Sequence, residues 1–236
     1  VLTVLPGPAE VAALIGELRG ALRPGAVWID LSTASPAIAR AVASATASCG
    51  ASALDAPIGG SPDTARDGRL LAFVGGDERV LASTRPVLEA FADRIIHVGP
   101  AGCGYTAKLL VNLLWFGQAV ATTEALALGA RAGIDPEVLR ATLEQSAAAS
   151  RFVSDDAPAL IVGEIHASFA LARCCEQLAS VLELGVELSV PLELAAVVSE
   201  VHRDALERFG DVDGELLGAR YVAERAGVPF DAPNSS

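Results

Sequence analysis

The sequence predicts an α/β half built on a mainly parallel sheet, followed by an all-α half entered through one long helix. Three observations carry this prediction. Through the first hundred residues, short β-type runs alternate with amphipathic helical patterns, as expected for parallel strands covered on both faces. From Tyr105 to Ala132 there is no proline and there are only two glycines, Gly117 and Gly129, so a single helix is favoured throughout. Beyond that stretch no β-type alternation returns. The implied boundary lies near residue 100, with an α/β domain over 1–100 and an all-α domain over 101–236.

Taken in order, Val1 to Leu5 reads as a strand, and Pro8 to Leu22 as a helix with Val11, Leu14, Ile15 and Leu18 on its apolar face. Pro24-Gly25 turns the chain into a second strand, Ala26 to Leu31. Ser35-Pro36 pairs an N-cap with proline at the first helical position and opens a helix to about Ser48. Further strands are read near Ala51 to Asp55, Leu70 to Val74 and Arg94 to Val98, with a helix from about Glu78 to Phe91. The long helix, about 40 Å at ~1.5 Å per residue, ends at Gly133. Asp135-Pro136 starts another, and helical segments follow near 168–185, 190–209 and 213–226. The tail Asp231 to Ser236 reads as frayed.

A net charge of -12 argues against nucleic acid and anionic membrane as partners, since both demand basic patches. No run of about 18 uncharged apolar residues occurs, so a spanning helix is not expected; the greasiest stretch, Ala107 to Ala121, holds Lys108, Asn112 and Gln118. Cysteines at 49, 103, 174 and 175 have neither zinc spacing nor the setting of a disulfide framework. They read as buried small hydrophobes, and the compartment as cytoplasmic. The histidines, at 97, 166 and 202, read as surface or strand-end residues. The sequence contains no methionine, even at position 1, and opens directly in a strand-like run, so the true N-terminus is expected upstream. Sixteen of its seventeen basic residues are arginine; the one lysine is Lys108.

Three segments can carry chemistry. Asp30-Leu31-Ser32-Thr33-Ala34-Ser35-Pro36 lies where a strand gives way to a helix, the place where open α/β sheets bind ligands. Its hydroxyls suit a carboxamide or phosphate, and equally suit plain helix capping. Leu54-Asp55-Ala56-Pro57-Ile58-Gly59-Gly60-Ser61 offers backbone N–H groups to a carboxylate, or is an ordinary glycine turn. Gly99-Pro100-Ala101-Gly102-Cys103-Gly104 leads into Lys108 and Asn112, four apart on one helix face. Their neighbours Leu109, Leu110, Val111, Leu113 and Leu114 are apolar, which disfavours the charged ammonium and readies it for proton transfer. Arginine cannot serve in this way, because it stays protonated. The alternative is a snorkelling lysine at a helix start.

Together these segments resemble the β-hydroxyacid dehydrogenase family, which includes 3-hydroxyisobutyrate dehydrogenase and tartronate semialdehyde reductase. The resemblance rests on Leu5-Pro6, Asp30-Leu31-Ser32-Thr33 and Asp55-Ala56-Pro57-Ile58-Gly59-Gly60. It continues through Ala65, Gly68, Leu70, Val74-Gly75-Gly76-Asp77, Gly102, Gly104, Lys108, Asn112, Glu124-Ala125 and Ala132-Gly133. It implies an α/β Rossmann-type parallel sheet, incomplete at its N-terminus, followed by an all-α substrate and dimerisation domain. It also implies an NAD- or NADP-dependent oxidoreductase of the 6-phosphogluconate dehydrogenase-like type, acting on the CH–OH group of a small β-hydroxy acid. By resemblance Leu5, Pro6 and Thr33 contact the dinucleotide. Gly59 and Gly60 lie at the substrate carboxylate, Lys108 is the acid/base and Asn112 holds the substrate.

Three departures stand out. The glycine-rich phosphate loop G-x-G-x-x-G is absent, and two βα units of roughly thirty residues each would account for it; without that loop the chain alone is expected to turn over little. Gly59 stands where the family usually has serine, which leaves Ser61 as a substitute. Glu176-Gln177 replaces a Lys-Asp pair whose lysine lies at the cofactor, so Glu176 puts an anion in place of a cation. That exchange favours an imine or ketone reductase as the alternative reading. A third reading is a non-catalytic dimerisation module on the same scaffold. The apolar long helix points to a homo-oligomer, a dimer or tetramer.

Overall fold

The computed structural model describes residues 1–228 and Phe230; the tail 231–236, expected to be frayed, lies outside the described residues. The chain divides into two compact units, Val1–Val111 and Asn112–Ser236.

In the first unit, strands β1 (Leu2–Thr3), β2 (Val27–Asp30) and β3 (Ser52–Asp55) run parallel, with helices α1 (Pro8–Ala21) and α2 (Pro36–Ala47) between them. The register is fixed by Thr3 opposite Asp30 and Asp30 opposite Asp55. Alternation along β2 sets the two faces. Trp28 packs with Val11 of α1 and with Ala39 and Val42 of α2, while Ile29 joins Leu54, Val74, Leu81 and Leu88 on the other face.

The mainly parallel sheet agrees with the expectation, and two local features add to it. Ile58–Gly59 forms a short strand, β4, and Pro62–Arg66 a short helix, α3, neither of which the sequence pattern predicts. β5 (Leu70–Gly75) runs antiparallel to β3 and β4, then parallel to β6 (Ala92–Gly99) beyond α4 (Glu78–Leu88), so the sheet is parallel in three of its five pairings.

Helix α5 spans Cys103–Arg131 and is closed by Gly133, whose N–H bonds Ala130 O while the Ile134 N–H reaches back to Gly129 O. The division between units falls inside this helix because its first turn packs into the sheet half: Tyr105 is buried beside Trp28 and Val42. By length and composition alone α5 could cross a membrane, contrary to the expectation from uncharged runs. In the second unit, Ala119 and Leu126 bury against Phe152, Leu160 and Leu216, while Phe116 and Val120 bury against Leu171, Leu178 and Val198. A helix buried on two sides is apolar nearly all round.

The second unit continues with α6 (Pro136–Glu144), where Asp135 accepts from the N–H groups of Glu137 and Val138 at 2.9 and 3.1 Å. An unanticipated π-helical turn, Phe152–Asp156, leads into α7 (Ala157–Ile161). Three helices then follow, α8 (Leu171–Glu187), α9 (Glu193–Phe209) and α10 (Leu217–Arg225).

Two expectations do not hold in the structure. Of the four cysteines only Cys174 is buried; Cys49, Cys103 and Cys175 are half-buried. His202, expected at the surface or at a strand end, is a fully buried residue of α9. Its Nδ1 lies 2.9 Å from Val198 O and so carries the proton, which leaves Nε2 without a partner among the described residues. The ring sits edge-on to Phe116 and against Gly218, where an added Cβ would come within 2.7 Å of Nε2. Burial lowers the His202 pKa below its ordinary 6.5. The unfolded chain therefore binds this proton first as pH falls, so stability is full above 6.5 and declines below it, toward the lowered folded value. His202→Asn is expected to flatten the fall in Tm between about pH 7 and about pH 5. Calorimetry at matched salt checks this, and an unchanged slope refutes it.

Candidate functional site

The carboxyl ends of β1, β2 and β3 share one edge of the sheet, which in open α/β sheets is where ligands bind. Each delivers one of the expected segments. After β1 come half-buried Leu5 and exposed Pro6; after β2 come buried Ser32 and half-buried Thr33; β3 ends on Asp55, and Gly59 in β4 and exposed Gly60 and Ser61 follow. Hydrogen bonds tie these segments together. The Leu5 N–H donates to Ser32 Oγ at 2.8 Å, and the Ser32 hydroxyl donates to Asp30 Oδ1 at 2.7 Å. Thr3 Oγ1 donates to the same carboxylate oxygen at 2.7 Å, and in turn accepts from Trp28 Nε1 at 2.8 Å. Ser32 therefore joins two strand ends instead of capping α2, and Ser35, at the N-cap position, makes no side-chain cap bond.

The start of α5 belongs to the same edge. The Asp55 carboxylate accepts the N–H groups of Gly102 at 2.9 Å and Tyr105 at 3.0 Å, so it caps the helix that carries Lys108. Burial pushes its pKa upward, against the lowering effect of these backbone bonds. The Tyr105 hydroxyl donates to the Asp30 carboxylate. Burial, then the Asp30 charge, raise the phenol pKa and keep it protonated. Asp30 and Asp55 are 1% and 4% exposed, and buried carboxylates persist only with such donors. Sequence reasoning assigns Asp30, Ser32, Asp55 and Tyr105 no individual role. The available signal was an acidic residue ending each of two consecutive buried strands.

The Gly59-Gly60-Ser61 segment differs from its expectation. Gly59 is paired opposite Leu71 in the sheet. Gly60 has φ +139, and a Cβ there would come within 2.9 Å of Leu70 Cδ2. The Ser61 N–H is committed to Thr64 Oγ1 at 2.7 Å, and its hydroxyl accepts from Thr64 N at 3.3 Å. Ser61 thus caps α3 and withholds its backbone N–H from a carboxylate, although its hydroxyl retains a proton to donate.

Lys108 is half-buried one turn beyond Tyr105. The apolar cover expected around it is uneven: Leu109 is buried, whereas Leu110, Val111 and Leu114 are exposed. In the second unit, Asn112 Nδ2 donates to Gln177 Oε1, so α8 orients its amide. Glu176 is exposed and accepts from Arg173 Nη1 at 2.8 Å, so its charge is partly neutralised on its own helix. Among the described residues no group of three His, Cys, Asp or Glu side chains could hold a metal ion.

A Rossmann-type sheet unit followed by a helical unit, with its small-residue and hydroxyl segments at the carboxyl edge, defines a dinucleotide-binding class of protein. Residues 1–99 match the family described as the NAD binding domain of 6-phosphogluconate dehydrogenase. Residues 102–217 match that described as NAD-binding of NADP-dependent 3-hydroxyisobutyrate dehydrogenase. The chain belongs to the β-hydroxyacid dehydrogenase family. It is 31% identical to 2-(hydroxymethyl)glutarate dehydrogenase of Eubacterium barkeri, over 84% of this chain and 64% of that protein. It is 41% identical to 3-hydroxyisobutyrate dehydrogenase of Pseudomonas aeruginosa, over 62% of this chain and 50% of that protein. The chain thus spans less than two thirds of the length of these relatives. Among solved structures, Mycobacterium tuberculosis 3-hydroxyisobutyrate dehydrogenase with L-serine superposes with a TM-score of 0.85 at 27% identity, covering 95% of this chain and 78% of that one.

Proposed function

We propose that this chain is the catalytic part of an NAD- or NADP-dependent oxidoreductase acting on the CH–OH group of a small β-hydroxy acid of the 3-hydroxyisobutyrate type. The observation that carries the reading is the gathering of Leu5-Pro6, Ser32-Thr33, Asp55 to Ser61 and the capped start of the Lys108 helix at one carboxyl edge of the sheet. Leu5, Pro6 and Thr33 fit the nicotinamide half of a dinucleotide: two of them are half-buried and one exposed, on strand ends held rigid by Ser32. The turn G-x-G-x-x-G that grips pyrophosphate does not occur in these 236 residues. When bound, the dinucleotide supplies the hydride acceptor or donor.

The chain's own residues supply the proton chemistry. In oxidation the neutral Lys108 amine takes the substrate hydroxyl proton; in reduction its ammonium returns a proton to the same oxygen. Asn112, one turn further along the helix and oriented by Gln177, holds the substrate. Gly60 leaves its backbone open to the substrate carboxylate, with the Ser61 hydroxyl beside it. Glu176, balanced by Arg173, leaves an imine substrate no specific support.

The apolar length of α5, with Leu114 and Leu128 exposed on it, is the basis for reading a dimer or tetramer. The test is dinucleotide reduction by the full-length protein with 3-hydroxyisobutyrate, L-serine and 2-(hydroxymethyl)glutarate. Turnover of at least one of them is expected; none with either NAD or NADP overturns the reading.

A further inference from the structure

We infer that Tyr105 and Asp30 are positioning residues for the acid/base lysine, fastening its helix to the strand ends that carry the proposed dinucleotide contacts. The inference rests on the role proposed for Lys108. Asp30 is the hub of a buried network. One carboxylate oxygen accepts the hydroxyls of Thr3 and Ser32, each at 2.7 Å, and Ser32 holds the Leu5 N–H at 2.8 Å. The other accepts the Tyr105 hydroxyl from across 75 residues of sequence. Tyr105 is 1% exposed, and its ring is packed with Trp28, Ala39 and Val42. Lys108 follows three residues later on the same rigid helix, so its amine is placed by where Tyr105 is held. Asp55 fixes the same turn through backbone groups alone. Only the Asp30–Tyr105 bond ties a side chain of α5 into the Leu5–Ser32 network among the bonds described at this edge.

Tyr105→Phe removes this bond and leaves the ring packing and the Asp55 cap in place. In the full-length protein kcat is expected to fall about 10- to 100-fold, the loss typical of a reacting group displaced by about 1 Å. KM for the dinucleotide stays unchanged, because Ser32 and Thr3 still hold the strand ends. The limb of the pH profile that reports Lys108 is expected to move, which a purely structural loss of active protein would not produce.

A second readout needs no turnover. Lysines are dimethylated with ¹³C-formaldehyde, the Lys108 signal is assigned by its absence in Lys108→Arg, and its titration is followed by NMR. Tyr105→Phe is expected to shift both the signal and its midpoint. A folded Tyr105→Phe with wild-type kcat, pH profile and Lys108 titration overturns the inference. A wild type without turnover, whose Lys108 titrates as an ordinary exposed amine, overturns the acid/base reading instead. Should Tyr105→Phe not fold, Asp30→Asn, which keeps shape and one acceptor, is read by the same criteria.

Discussion

Lys108→Arg is expected to lower kcat for β-hydroxy acid oxidation by about 10²- to 10⁴-fold, the range that loss of a positioned acid/base commonly costs. The substitution isolates one property. Arginine keeps the positive charge, a long stem and a good helix propensity at this half-buried site, so folding and substrate attraction should change little. What it cannot do is release a proton near neutral pH. The loss should therefore fall on kcat, with KM nearly unchanged. The pH dependence follows in sign: oxidation needs the neutral amine and rises as pH climbs through the Lys108 pKa, while reduction needs the ammonium and falls over the same interval. Both limbs should vanish in Lys108→Arg. Steady-state kinetics in both directions check this, and an arginine variant with wild-type kcat removes Lys108 from the mechanism.

The sequence exposed what local pattern encodes. Strand–helix alternation placed β1, β2, β3, β5 and β6, and with them the edge that carries Leu5, Thr33 and Asp55. A proline-free run ended by Gly133 placed α5. What it hid depends on partners distant in the chain. β4 is two residues long and exists only because Leu71 and Ala72 lie opposite, so no periodicity announces it. Burial of His202 depends on Phe116 and Gly218, which come from two other helices. The uneven cover around Lys108 has the same origin: composition says that Leu110 and Leu114 are apolar, not that they are exposed. The role of Ser61 was nearer to hand, since a serine followed by proline and, three positions on, by threonine can form a reciprocal cap. Tyr105 was one turn from the residue singled out by composition, yet its partner Asp30 lies on the second strand, and only the folded edge brings them together.

Gly104→Ala is expected to destabilise the first unit by about 3 kcal/mol, although propensity alone predicts the opposite. Gly104 lies in the first turn of α5, where alanine would gain about 1 kcal/mol as a better helix former. Sterics decide against it. An added Cβ would stand 2.8 Å from Asp55 Oδ2 and closer still to the carbonyl oxygens of Asp55 and Phe73. Two of these three obstacles are backbone atoms of paired strands, which cannot turn aside as a flexible side chain would. The helix start must then lift from the sheet, and the Gly102 and Tyr105 N–H groups lose the Asp55 carboxylate. Leaving two buried donors unpaired costs about 1–3 kcal/mol each, which outweighs the propensity gain. For a chain of this size the loss corresponds to a Tm lower by roughly 6–12 °C. The control is Gly16→Ala in the interior of α1, where nothing lies within 4 Å of the added Cβ and a gain of about 0.5–1 kcal/mol is expected. Thermal melts of the two variants should move in opposite directions from wild type. Equal and small shifts would mean that α5 is not pinned to the sheet at Asp55, and the placement of Lys108 would lose its structural basis.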